Sequence, residues 1–154
     1  MGELGTVVEL GSGTGLCGMA CAALGAKRVL LTDLAEALPL LQRNASASQW
    51  TSQLEVHTLK WGETLPSGCE PFGLVVACDC LYRPEDYPAF AATVAALGAP
   101  ALIAWRQRQR SEDAILGMLA AHGFAVSEER SRVVDDSQVR LVRAVPLGYS
   151  RRKR

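Results

Sequence analysis

The sequence predicts an α/β fold: a Rossmann-like open sheet, mostly parallel, that ends in an antiparallel hairpin. Three observations carry this. Thr6 to Leu10 is a short apolar run followed by three alternating glycines, Gly11, Gly13 and Gly15. That is the pattern of a buried strand turning sharply into a helix. Strand-length apolar runs and helix-period segments then alternate along the chain. The last two strand-like segments, Ala125 to about Arg130 and Gln138 to Ala144, have no helix between them and pair as a hairpin.

The elements follow in order. Leu16 to Leu24 is a narrow helix of Gly, Ala and Cys that can pack close to a sheet, and Gly25 stops it. Val29 to Thr32 is the second buried strand. Leu34 to about Ser48 reads as a helix through Leu34, Leu38, Leu41 and Ala45, with Pro39 delaying or kinking its start. Leu54 to Leu59 alternates apolar and polar residues, as a half-exposed edge strand does. Pro66, Gly68 and Pro71 mark a loop. Phe72 to Cys78 carries the fourth strand, Pro84 to Leu97 a helix, and Ala101 to Trp105 the fifth strand. Ser111 caps a helix that runs to about His122. Residues 1–145 form one domain, and 146–154 a basic tail.

In such a sheet the ligand lies outside the carboxyl ends of the central strands. The stretch from Val7 to Asp33 supplies a nucleoside site there. The glycine turn lets a ligand approach the backbone, and the following helix presents its amide groups. Asp33 ends the second strand, where a carboxylate can accept hydrogen bonds from both ribose hydroxyls. Gly13 to Gly18 also fits G-x-G-x-x-G, so a dinucleotide stays formally open. Glu9, just before the glycines, would face a pyrophosphate badly but suits the cationic S-adenosylmethionine. The second signal is at the end of strand four, where Asp79 and Tyr82 stand three positions apart.

Composition narrows the classes. The chain has 154 residues, 49% of them hydrophobic, with zero formal net charge. It has no global basic field for nucleic acid. Its basic residues are local: Arg106, Arg108 and Arg110, then Arg151 to Arg154. No apolar run is long enough to span a bilayer. The five cysteines lack zinc-ligand spacing. They read as reduced thiols of a cytoplasmic protein, with the nucleus as the alternative.

Four motifs carry a resemblance: Glu-Leu-Gly-Ser-Gly-Thr-Gly at 9–15, Thr-Asp-Leu at 32–34, Leu-Lys-Trp-Gly at 59–62 and Asp-Cys-Leu-Tyr at 79–82. Together they resemble the seven-β-strand (class I) methyltransferases of family 16, largely protein-lysine methyltransferases. The nearest likeness is to the branch acting on the valosin-containing ATPase. The resemblance implies S-adenosyl-L-methionine as cofactor and a lysine of a protein as acceptor. It implies cofactor contacts from Glu9, Gly11, Ser12, Gly13, Gly15, Asp33, Leu34, Trp61 and Cys78. Asp79 and Tyr82 would shape the acceptor site, Asp79 by attracting and orienting the lysine. A free lysine amine, with pKa about 10.4, costs roughly 4–5 kcal/mol to neutralise at pH 7. An apolar channel and a nearby sulfonium both favour the neutral amine. Tyr82 would add an aromatic wall and cation–π attraction. Family members carry several dozen residues before the first glycine-motif strand, so an N-terminally shortened chain with a more open pocket is expected. Two other readings stay open: a non-catalytic binding module, and an amino-methyltransferase acting on nucleic acid.

Overall fold

The computed structural model describes residues 4–65, 68, 71–108 and 113–150. Seven strands form one sheet: β1 (Thr6–Leu10), β2 (Arg28–Asp33), β3 (Leu54–Thr58), β4 (Leu74–Cys78), β5 (Ala101–Arg106), β6 (Phe124–Val134) and β7 (Ser137–Pro146). Their order across the sheet is β3-β2-β1-β4-β5-β7-β6. The first five run parallel, and β7 is antiparallel to both β5 and β6. The chain builds outward from β1 to β3, then crosses back to β4 and builds the other way. The β1/β4 boundary is therefore the switch point, where strand ends leave a crevice.

The helices are α1 (Leu16–Ala23), α2 (Leu38–Ala47), α3 (Tyr87–Leu97) and α4 (Ala114–Ala121). Strand alternation sorts the core into two layers. Val8, Leu10, Val75, Ile103 and Trp105 pack with Phe90, Val94, Ile115 and Leu119 of α3 and α4. Val7, Val29, Leu31 and Val76 pack with Cys21 and Ala22 of α1 and Leu41 and Ala45 of α2. Beyond α1 its side of the sheet is open among the described residues. A groove of about 290 Å³ there is lined by Leu74, Val76, Leu102, Ala104 and Leu141 among others.

Three boundaries differ from expectation. The second helix begins at Leu38, not Leu34, because Pro39 occupies its first turn and lacks the N–H an interior position would need. Pro84 starts a short 3₁₀ turn, Pro84–Asp86, and α3 begins only at Tyr87 with Pro88 in its first turn. The hairpin is longer than the sequence suggests. It closes through Asp135 and Asp136, both in the left-handed region at φ 47° and 60°, the conformation a tight hairpin turn demands. The expected cap Ser111 and tail residues 151–154 lie outside the described residues. Just after β7, Leu147 donates its N–H to the Gly123 carbonyl at 2.8 Å.

Candidate active site

The ends of β1, β2 and β4 meet where topology puts the crevice. The glycine turn is fastened to β2 at several points. Ser12 N–H donates to the Thr32 carbonyl at 2.9 Å, and Thr32 N–H donates to Ser12 Oγ at 2.9 Å. The Asp33 carboxylate accepts from Gly13 N–H and from Leu34 N–H, each at 2.7 Å. It is thus held at the open rim of the turn, together with the half-exposed Leu34. Asn44 of α2 braces the same loop, donating to the Thr14 carbonyl at 3.0 Å. A Cβ added at Gly13 would meet nothing within 4 Å, so the turn presents bare backbone to open space there. This rim, with an acid two hydrogen bonds deep in backbone amides, fits the adenosyl and amino-acid parts of S-adenosylmethionine.

Gly11 has a different task. Its φ is +66°, and a Cβ there would stand 2.7 Å from Cys80 Cβ and 3.5 Å from Trp61 Cζ2. The glycine turn therefore touches both other motifs. Trp61 is braced edge-on against Phe90, with ring centroids 4.9 Å apart. Its neighbour Gly62 donates N–H to Thr93 Oγ1 of α3 at 2.7 Å. The Trp61-Gly62 pair is thereby a fixed aromatic post beside the turn. Cys78 is exposed at the end of β4. Cys80 is buried, which pushes its thiol up to about 12, so it packs and does not react.

Glu9 lies on β1, just before the glycine turn. Strand alternation turns it onto the α1 face with Val7, beneath the turn and away from its open side. It is 2% exposed, and its Oε2 accepts the Gly18 N–H at 3.0 Å. Burial pushes its carboxyl up to about 7 from an ordinary 4.5, against hydrogen bonds from Ser12, Gly18 and Cys17 that favour the charged form. The consequence for stability has a definite sign. Below pH 4.5 Glu9 is protonated in both folded and unfolded chains. Between pH 4.5 and about 7 the unfolded chain ionises while the folded one keeps its proton, so stability falls as pH rises, and above that window the loss is complete. Denaturant titrations at pH 5 and pH 8 should show wild type losing about 2.5 kcal/mol more than Glu9→Gln. Parallel behaviour of the two proteins would contradict the assignment.

Asp79 occupies the left-handed region at φ 53°. Its Oδ1 accepts from Arg106 N–H at 3.2 Å and Arg108 Nη1 at 2.9 Å, and its Oδ2 from Arg108 Nη2 at 2.9 Å. Partial burial raises its carboxyl pKa, but Arg108 and the Arg106 amide and charge outweigh that and hold it below the usual range. Tyr82, three positions further along the chain, is 64% exposed. Arg108 is the site residue the sequence left unassigned. It stood out only as one of three alternating arginines after strand five.

Among the described residues no cluster of His, Cys, Asp and Glu could hold a metal ion, and no helix is long and apolar enough to cross a membrane.

Comparison with known proteins bears on family and fold. The family described as lysine methyltransferase matches residues 3–122. The chain is 32% identical over 127 residues to protein-lysine N-methyltransferase EFM6 of Saccharomyces cerevisiae, covering 69% of this chain and 51% of that protein. It is 34% identical over 131 residues to protein N-lysine methyltransferase METTL21A of Danio rerio, covering 79% and 58%. The chain thus spans about half the length of the curated relatives it matches. Among solved structures, magnesium protoporphyrin IX methyltransferase from Synechocystis with bound SAM superposes with TM-score 0.72 at 21% identity, covering 94% of this chain and 70% of that one. A putative RNA methyltransferase from Pyrococcus horikoshii superposes with TM-score 0.74 at 17% identity, covering 94% and 76%. These two share the fold.

Proposed function

The chain belongs to the lysine methyltransferase family, and from that premise we propose that it binds S-adenosyl-L-methionine and methylates the side-chain amine of a lysine in a protein. The observation that carries this is the meeting of an open glycine turn, its Asp33 rim and the Asp79-to-Tyr82 loop at one crevice. When bound, S-adenosylmethionine supplies an electrophilic methyl group: its C–S bond breaks as the amine lone pair forms the C–N bond, leaving S-adenosylhomocysteine and a methylammonium that sheds its proton to solvent.

The chain's own residues bind, orient and enclose. Asp33 holds the ribose hydroxyls, and Gly11, Ser12, Gly13 and Gly15 lie along the rest of the cofactor. Leu34, Trp61 and Cys78 flank the adenine. Glu9 acts from beneath, as a buried acid whose ionisation a cationic ligand would favour. Asp79 accepts a hydrogen bond from the acceptor amine, and Tyr82 forms an aromatic wall for the lysine stem. Alignment of nitrogen, methyl and sulfur supplies much of the rate.

The acceptor is a protein. One relative in Xenopus tropicalis is named EEF1A lysine methyltransferase 3, and the sequence motifs resemble the branch acting on the valosin-containing ATPase. Those two proteins head the acceptor screen, and the reduced thiols favour a cytoplasmic or nuclear setting. Nucleic acid is a poor acceptor for a chain of zero net charge. The test is transfer of labelled methyl to candidate proteins, followed by peptide mapping, for wild type and Asp79→Asn. Lysine methylation that falls at least about tenfold in Asp79→Asn, with cofactor affinity kept, is the expected result. Equal turnover in the two proteins would remove Asp79 from the acceptor site.

A further inference from the structure

A carboxylate beside the acceptor creates a difficulty. On its own it would hold the lysine as an ammonium, which has no lone pair to attack a methyl group. The structure places the answer next to it. Arg108 meets the Asp79 carboxylate with both terminal nitrogens, each at 2.9 Å. The backbone adds the Arg106 N–H on the same Oδ1 at 3.2 Å. Oδ2 accepts only one of these bonds, from Arg108 Nη2. A carboxylate oxygen takes about two hydrogen bonds, so Oδ2 keeps room for one further donor, and the side chain is 46% exposed to receive it.

We propose that Arg108 is a positioning residue for the methyl acceptor: it neutralises the Asp79 charge, so that Asp79 can orient a neutral lysine amine by a hydrogen bond without stabilising its protonated form. This rests on the lysine methyltransferase reading. Among the described residues, the charged and titratable groups around Asp79 are Arg106 and Arg108 on and after β5, Cys78 in its own strand, and Tyr82 in the turn that follows. Both charged members of that set are cations. With Arg108 in place, Asp79 and its arginine partner form a dipole with no net charge. The proton leaving the acceptor goes to solvent, and no side chain has to act as a strong base.

The experiment compares wild type, Arg108→Gln and Arg108→Lys on the acceptor that the methyl-transfer screen identifies. Arg108→Gln takes the guanidinium from Asp79 and leaves it the Arg106 N–H as hydrogen-bond donor. The acid limb of its kcat profile, which reports the bound acceptor, should move up by about one pH unit, up to about a tenfold loss on that limb that is largely recovered at higher pH. Arg108→Lys keeps the charge and should return the limb to its wild-type position. A second readout needs no turnover. With S-adenosylhomocysteine bound, the ¹³Cε shift of a labelled acceptor lysine reports its protonation, and its midpoint should be higher in Arg108→Gln than in wild type. Calorimetry with S-adenosylhomocysteine checks that both variants still bind cofactor.

A uniform fall across pH, or a lower acceptor KM with an unmoved profile, would overturn the proposal; the latter would make Arg108 a plug that the substrate cation displaces. A wild-type enzyme that binds cofactor yet methylates no lysine would remove the reading beneath it, a failure separate from an unmoved profile.

Discussion

Replacing Asp33 by alanine should lower S-adenosylmethionine affinity by at least about 100-fold, with the folded state kept. Two charge-assisted hydrogen bonds to ribose hydroxyls, at about 1.5–3 kcal/mol each, account for that loss. The same carboxylate also fixes the turn, accepting from Gly13 and Leu34 N–H at 2.7 Å. Both of these bonds are solvent-exposed, so water takes over the freed amides and the thermal midpoint should move little. Calorimetric titration reads the affinity, and circular dichroism reads the fold. A variant that binds S-adenosylmethionine as wild type does would place the ribose elsewhere. Asp33→Asn keeps the acceptor oxygen without the charge and should fall between the two.

The largest effect on stability should come from Gly18→Ala. Gly18 lies where α1 crosses β1 and β2. A Cβ there would be 2.1 Å from Leu31 Cδ2, 2.7 Å from Glu9 Oε2 and 3.2 Å from Val29 Cγ1. Leu31 and Val29 are fully buried, so neither can swing into solvent, and the helix must lift from the sheet. Overpacking of this kind costs about 2–4 kcal/mol, a fall of roughly 5–15 °C in a domain of this size. Gly117→Ala is the control. Gly117 also sits in a helix, but an added Cβ meets nothing within 4 Å, so the variant should gain about 0.5–1 kcal/mol. Equal melting of the two variants would mean that α1 does not pack against β2 this closely.

These residues also show what a sequence can and cannot reveal. The glycine turn, Asp33 and the Asp79-to-Tyr82 loop are legible because each depends on local chemistry at a strand end. Glu9 was legible as an acid at the end of the first strand, but not the face of the sheet it takes. Val7, Val8, Glu9 and Leu10 are all buried, since both faces of a central parallel strand are covered, and such a run has no period to reveal which face the acid takes. Arg108 is 29 positions from Asp79, and the pairing arises only because β5 lies beside β4. Gly18 was visible as part of a narrow helix. Its close approach to Leu31 depends on the packing of α1 over β2. The length of the hairpin was hidden because Asp135-Asp136 is a weaker turn signal than Asn-Gly or Asp-Gly.

The position of β7 has a consequence for how the protein is made. It follows every other described strand, yet it lies inside the sheet between β5 and β6. While it is still within the ribosome, β6 has no neighbour to pair with, and the nascent sheet ends at β5. The β5 backbone from Ala101 to Arg106, fully paired with β7 in the finished protein, is then a bare edge available to any passing strand. The vulnerable stage of biogenesis is therefore the interval between emergence of β5 and emergence of β7. A chaperone that shields a sheet edge would help most during that interval.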